Sequence, residues 1–392
     1  MNYNFDKIIN RKNTNCEKWD MIEKSFGSSD VLPLWVADMD FEAPLEVAES
    51  IKKRTEHGVF GYTAVPYSYY KAVIDWLKVR HGWEVDRDWI SLSHGVIPSL
   101  CAAIITFTNP GDKILIQSPV YPPFFSIVKN NGRCLVNNQL KISQGKYIID
   151  FDNLQKQLSE GVKMMILCNP HNPVGRVWSR DELNQIGELC LKYNVMLVSD
   201  EIHSDLVYPY VKHIPAGSIS EEIAQNSITC VAPSKTFNIP GLGISAVIIP
   251  NSRLSKMFNK TVSNMAMNMS SIFGPIAAEA AYKYGADWLD QLLVYLQGNI
   301  DFLTQYLKDN IPQIKFFKPE GTYLAWLDCR DLGLDQKELK SFMTNKAKVG
   351  LIEGTAFGPG GEGYQRLNFA CPRSVLVEAL QRIKAAVNDR TT

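Results

Sequence analysis

Five short apolar runs punctuate the chain: "KILIQ" from Lys113, "KMMILC" from Lys163, "VMLVS" from Val195, "SITCVA" from Ser227 and "ISAVIIP" from Ile244. Each reads as a strand buried on both faces. Between the second and third lies "SRDELNQIGELCLKYN", where Ser179 and Glu182 have capping-box spacing. Its residues Leu183, Ile186, Leu189, Cys190 and Tyr193 recur at helical spacing and predict one apolar face. Strand alternating with helix predicts an α/β fold with a mostly parallel sheet flanked by helices.

Beyond Pro250 the period lengthens. Trp288, Leu292, Tyr295, Leu296, Phe302, Leu303 and Leu307 predict a long amphipathic helix with a single buried stripe. "KFFKPEGTYLAWLDC" and "YQRLNFACP" then read as strands, and a last helix starts at Arg373. A smaller α+β domain is therefore expected beside the large one. The division is drawn at 46–284 for the large domain, with 1–45 and 285–392 forming the small one.

In an open α/β sheet, ligands collect outside the carboxyl ends of the strands. The unusual residues of this chain follow those ends: Tyr121, the segment 169–175, Asp200 and the pair Ser234-Lys235. One strand ends in "SDEIHSDL", an Asp-Glu pair that could hold magnesium in an ATPase. That reading also needs a phosphate-cradling Gly-x-x-x-x-Gly-Lys-[Ser/Thr] loop. Gly145-Lys146 is the one Gly-Lys pair, and it is followed by Tyr147 with Leu140 at the first glycine position. A cation other than a metal ion has to be sought for the carboxylate.

Composition narrows the partners. Lysine plus arginine and aspartate plus glutamate number 41 each in 392 residues, with no long run of one sign. Neither a nucleic-acid surface nor a membrane surface is indicated, and a small neutral or zwitterionic ligand fits better. The eight cysteines are scattered without Cys-x-x-Cys or metal-ligand spacing, so no metal site is expected. The stretch "MNYNFDKIINRKNTN" has no apolar h-region, and the longest apolar run, Val96 to Phe107, is too short for a bilayer. The expected location is cytoplasmic.

Lys235, in "VAPSKTFNIPGLG", follows a strand and precedes a Pro/Gly loop, a position that faces the cleft. A lysine attacks a carbonyl only when unprotonated, so its pKa must fall from about 10.4 through desolvation or a neighbouring cation. A nucleophilic lysine and an acid facing a ring nitrogen are the two demands of pyridoxal phosphate. On that reading Asp200 faces a pyridinium. In "SLSHGVIPSLCAAI" a strand, Gly95 and a helix leave the early amides of Val96 and Ile97 free, a suitable seat for a phosphate.

With these residues in place the chain resembles the fold-type I pyridoxal-phosphate enzymes of the class I/II aminotransferase group. It is most similar to their carbon–sulfur β-lyase branch, typified by cystalysin and the MalY/PatB proteins. The segments that carry the resemblance are "NTNCEKWD", "LPLWVADMDF", "HGVFGYT", "NPHNPVGRVW", "SDEIHSDL", "APSKTFNIPGLG" and "QRLNFACP", nearly end to end. The resemblance implies that Lys235 carries the cofactor, Asp200 pairs with its ring nitrogen and Asn172 bonds its 3-hydroxyl oxygen. It also implies that Tyr121 stacks on the ring and that Gly95, Val96, Ile97 and Ser234 bind the phosphate.

Arg366 matches the arginine that clamps the substrate carboxylate, a role suited to its planar fork. Trp35, Val36, Ala37 and Asp38 belong to the cleft wall, with Ala37 placed against the substrate. Tyr62 matches a tyrosine that reaches the neighbouring subunit's cofactor, which makes a homodimer the expected assembly. Two positions depart from the aminotransferase pattern: His203 stands where those enzymes usually have tyrosine, and Gly243 where many have a phosphate-binding arginine. His203 is accordingly counted among the cofactor-binding residues. Both departures favour a β-lyase acting on L-cystathionine, L-cysteine or related S-substituted cysteines. The alternatives are an aminotransferase using the same residues, or a protein that mainly binds a regulator.

Overall fold

The computed structural model describes residues 2–269 and 271–391. Its centre is a seven-stranded sheet: β1 Ile90–Ser93, β2 Lys113–Ile116, β3 Cys134–Asn137, β4 Val162–Cys168, β5 Met196–Asp200, β6 Ser227–Val231 and β7 Ser245–Ile248. The order across the sheet is β1-β7-β6-β5-β4-β2-β3. The pairs β2/β3, β2/β4, β4/β5 and β5/β6 are parallel, whereas β7 runs antiparallel to both β6 and β1. The five predicted runs supply five of these strands. β3 lies at the edge with its first residue exposed and the rest half-buried, so it lacks the uniform apolar signature of the others.

Alternation along each strand sorts side chains between two helical layers. In β4, Met164, Ile166 and Cys168 pack with Val96, Leu100 and Ala103 of the helix Val96–Phe107. Met165 and Leu167 pack on the other face with Leu183 and Ile186 of the helix Arg180–Lys192. That second helix opens with the predicted capping box between Ser179 and Glu182. Burying each such aliphatic side chain contributes about 1.5–3 kcal/mol, so both faces are committed to covering helices.

A second sheet joins β8 Lys315–Phe316, β9 Leu324–Asp328, β10 Ile352–Glu353 and β11 Tyr364–Asn368, in the antiparallel order β8-β9-β11-β10. The helix Ala286–Asn310 lies against it through Trp288, Leu292, Leu296, Leu303 and Leu307. Tyr295 and Phe302, expected in the same stripe, sit at its margin and are only partly buried. Tyr295 there meets Phe5 and Phe41, at centroid distances of 5.5 and 5.6 Å. Two further helices, Ser252–Asn264 and Phe273–Tyr284, precede the long one, and the last helix is Arg373–Thr391. No described helix is long and apolar enough to cross a membrane.

The segment 35–41 is an irregular strap held from two sides. Asn368 Nδ2 donates to the carbonyls of Val36 at 2.7 Å and Asp38 at 2.6 Å. From the other side, Asn238 Nδ2 donates to the carbonyls of Met39 and Phe41, and its Oδ1 accepts from the Met39 N–H. Beneath the strap, buried Lys18 pairs with Asp40 at 2.6 Å, and Arg11 bridges Asp38 and Asp40 at 2.5 and 2.7 Å. Each buried charge has an opposite charge in hydrogen-bonding reach, as desolvated ions require.

Candidate active site

The strand ends converge on a cavity of about 210 Å³ whose walls include Ala37, Gly95, Val96, Ile97, Tyr121, Asn172, Asp200, His203, Ser234, Lys235 and Gly243. His94, Pro98, Cys168, Ile202, Pro240 and Ile244 complete the lining. These six carry little chemical signature in the sequence, apart from their nearness to residues that do.

The Asp-Glu pair at the end of β5 divides by strand parity. Asp200 shares a face with Val198 and enters the cavity, whereas Glu201 turns the other way. There Glu201 accepts from the Ser199 hydroxyl at 2.9 Å and the Ala216 N–H at 2.8 Å, and bonds His213 Nε2 at 2.9 Å. Glu201 is thus fully engaged inside the fold. Asp200 accepts one hydrogen bond, from the Ile202 N–H at 3.1 Å, and forms no ion pair among the described residues. Burial pushes its pKa up to about 7, against the lowering effects of the Ile202 N–H and Lys235.

Lys235 sits in the short turn of helix Pro233–Thr236 after β6 and donates through Nζ to the Ala37 carbonyl at 2.5 Å. Its pKa is lowered to about 8, first by desolvation and then by the positive charge of Arg366. Ser234 is buried beside it on the same wall. His203 is buried and lies edge-on to Tyr323, 5.9 Å between centroids, with its Nδ1 lacking a partner. Desolvation and the nearby cations depress its pKa to about 3, so the ring is neutral.

Gly95, at φ 139°, caps the helix Val96–Phe107, whose first residues Val96 and Ile97 line the cavity. A side chain would strain that backbone. Free amides and the helix dipole together favour an anion. Gly243, at φ 52°, lines the cavity where an arginine would add charge, and Lys235 is the only lysine or arginine on this wall among the described residues.

Tyr121 and Asn172 arrive on two loops joined by His171. The neutral His171, its pKa depressed to about 4 by burial, donates through Nε2 to the Pro119 carbonyl at 2.9 Å. Arg366, at the middle of β11, is buried behind Asn172 and is not part of the cavity lining. Its Nη1 donates to Asn172 Oδ1 at 3.1 Å and its Nη2 to the Trp35 carbonyl at 2.9 Å, while Nε has no partner. No carboxylate pairs with this guanidinium among the described residues, and burial lowers its pKa to about 10. A buried cation without a counter-ion is costly unless a ligand supplies one.

Tyr62 stands apart from these residues. It is 99% exposed and lines a shallow surface pocket with Phe60, Met269 and His94, the last shared with the main cavity. Within one chain it does not touch the site. Tyr323 and Asn238 escaped the sequence reading of the site, although both lie inside quoted motifs. Tyr323 Oη donates to the Ala37 carbonyl at 2.7 Å and so shares that acceptor with Lys235.

The cavity therefore joins an open anion seat, a buried carboxylate in want of a cation, and an amine held partly unprotonated. Phosphate, protonated ring nitrogen and aldehyde are the matching groups of pyridoxal phosphate, so the residues present fit that cofactor.

Comparison with known proteins agrees with this geometry. The model of the family "Aminotransferase class I and II" matches residues 29–383. The chain is 46% identical to cystathionine beta-lyase PatB of Bacillus subtilis, over 98% of this chain and 100% of the relative. It is 31% identical to protein MalY of Escherichia coli, over 98% and 99% of the two chains. The crystal structure of cystalysin from Treponema denticola, which contains a pyridoxal 5'-phosphate cofactor, superposes with a TM-score of 0.96 at 41% identity, covering all of both chains.

Proposed function

The chain belongs to the aminotransferase class I and II family, and within it we infer that the Lys235 pocket cleaves carbon–sulfur bonds: the protein is a pyridoxal-phosphate-dependent carbon–sulfur β-lyase. Its substrates are L-cystathionine, L-cysteine or related S-substituted cysteines, and its products are pyruvate, ammonia and a thiol or sulfide. The observation that carries the reading is a set of unmatched groups in and behind the cavity: Asp200 without a cation and helix amides without an acceptor on its wall, and Arg366 without a carboxylate behind Asn172.

When bound, pyridoxal phosphate supplies an aldehyde carbon for Lys235 Nζ to bond and a cationic ring that takes up electron density released at the substrate Cα. Asp200 holds the ring nitrogen protonated, and the amides of Val96 and Ile97 with Ser234 bind the phosphate. Without an arginine at Gly243, that phosphate is held with less positive charge than in many aminotransferases. Asn172 bonds the ring's 3-hydroxyl oxygen, Tyr121 covers one ring face and His203 contributes a neutral imidazole to the cofactor wall. Arg366 receives the substrate carboxylate, and Ala37 presents its backbone beside it.

Lys235 Nζ, with its depressed pKa, would serve as the base that takes the substrate Cα proton. A β-thiolate then departs readily, since a thiol pKa near 8.5 makes it a good leaving group. The remaining three-carbon fragment hydrolyses to pyruvate and ammonia. In this reading the active unit is a cytoplasmic homodimer in which Tyr62 reaches the neighbouring site. Its full exposure, beside exposed Val59 and Phe60, supports that assignment. Residues 46–284 serve as the cofactor domain, with 1–45 and 285–392 as the smaller domain.

The test is an assay of purified, cofactor-loaded protein with L-cystathionine alone. Equal release of pyruvate and thiol is expected. Amino-group transfer that requires an added 2-oxo acid, without thiol release, would make the protein an aminotransferase.

A further inference from the structure

A second cavity, of about 260 Å³, opens on the side of the four-stranded sheet away from Lys235, walled by Phe26, Trp35, Met343, Leu351 and Gln365. Ser25, Thr344, Lys340, Glu353 and Ala356 also line it, and because roughly 150 Å³ is enough to hold benzene, a substituted aromatic ring fits by size. Gln365 is 1% exposed, and its Nε2 has no hydrogen-bond partner. A buried amide left unpaired is destabilising unless a ligand pairs with it. One wall, carrying Met343 and Thr344, is the π-turn Phe342–Lys346, a distortion that is frequent at functional sites. The Lys340–Glu353 ion pair also borders the cavity, so these two opposite charges are already matched and call for no charged ligand.

Two connections tie this cavity to the clamp. Gln365 and Arg366 are consecutive on β11, so their side chains project to opposite faces. Trp35 contributes its indole to the cavity, T-stacked on Phe26 at 5.5 Å, while its carbonyl accepts Arg366 Nη2. Trp35, whose indole Nε1 also donates to the Lys18 carbonyl at 3.1 Å, thus links the cavity to the carbonyl that orients Arg366.

We propose that this cavity is a regulatory site for a small uncharged aromatic molecule bearing one amide-like hydrogen-bonding group, which pairs with Gln365, and that its occupancy tightens substrate binding at Arg366 through Trp35. The coupling to substrate rests on the lyase reading of Arg366; the binding itself does not.

Benzamide is a suitable probe, titrated into the cofactor-loaded enzyme by calorimetry and into the L-cystathionine assay. Saturable binding is expected, with the KM for L-cystathionine falling roughly fivefold at unchanged kcat, within the usual span of allosteric coupling. Ala356→Trp, which fills the cavity from its wall, should abolish benzamide binding and leave KM and kcat without benzamide within about twofold of the parent. Gln365→Met should weaken benzamide roughly tenfold while leaving toluene binding unchanged, as expected for loss of one buried hydrogen bond. Absence of binding, or binding that Ala356→Trp does not affect, overturns the site. Binding that leaves KM unchanged overturns the regulation. A protein that binds benzamide as described but releases no thiol would refute the lyase reading and leave the cavity assignment standing.

Discussion

Lys235 Nζ and Tyr323 Oη donate to one acceptor, the carbonyl oxygen of Ala37, at 2.5 and 2.7 Å. Two donors match the two lone pairs of that oxygen. When Lys235 is engaged elsewhere, Tyr323 still keeps the carbonyl satisfied, so the strap stays in place through the reaction. Asn238 fixes the same strap by three hydrogen bonds to the main chain of Met39 and Phe41. Asn238→Ala is expected to lower stability by roughly 2–4 kcal/mol in urea denaturation, through loss of those bonds, and to slow turnover at saturating substrate. Full turnover in that variant would mean that the strap does not position Lys235.

Asp200 and Lys235 should each contribute least to the stability of the cofactor-free protein near pH 7 to 8. Asp200 has a raised folded-state pKa of about 7, so between about pH 4 and 7 the native state holds more protons than the unfolded chain. The contribution of this group to stability therefore falls as pH rises through that window. Lys235 has a lowered folded-state pKa of about 8, so between about pH 8 and 10.5 the native state holds fewer protons and stability rises with pH. Both groups are thus least favourable in the native state around neutrality. Asp200→Asn should raise the Tm of the cofactor-free protein relative to wild type by more at pH 7.5 than at pH 4.5. An unchanged Tm profile would show that Asp200 is not desolvated in this way.

Arg366 is buried behind Asn172, and no carboxylate pairs with it among the described residues. A bidentate charged pair with the substrate should be worth about 1.5–3 kcal/mol per hydrogen bond. Arg366→Ala is expected to lower kcat/KM by at least tenfold to a hundredfold, mainly through KM, on that estimate. Arg366→Lys should recover little, because an ammonium group cannot reproduce the planar fork. Equal kcat/KM in wild type and Arg366→Ala would remove the clamp.

Cross-subunit action of Tyr62 can be read from hybrids. Lys235→Ala and Tyr62→Ala homodimers should each have low activity. After subunit exchange at equal concentrations, half the dimers are hybrids with one intact site, which returns about a quarter of wild-type activity if the sites are independent and symmetry-related. No recovery in verified hybrids would place Tyr62 outside the neighbouring site.

Much of this architecture was legible because parallel strands buried on both faces leave uniform apolar runs, and their carboxyl ends are where ligands collect. That rule singles out Asp200 and Lys235, whereas Tyr121 and Asn172 follow strand ends but read as turn residues without the family resemblance; the cavity brings all four together. Strand direction was less visible. β6 and β7 are separated by a 13-residue loop containing only short helical turns, too little for a right-handed crossover, so β7 runs antiparallel. Also hidden was the division of labour between Asp200 and Glu201, which depends on strand register rather than residue type. The strap was illegible for another reason: Asn238 and Asn368 serve carbonyls 199 and 332 positions away, and local pattern does not encode such pairings.

The most direct test of the account locates the cofactor. Borohydride reduction of the pyridoxal-phosphate-loaded protein, followed by peptide mass spectrometry, should find the phosphopyridoxyl mass on the peptide containing Lys235, with no label after Lys235→Ala. Labelling of another lysine, or undiminished pyruvate formation by the Lys235→Ala protein, would contradict the assignment on which the rest depends.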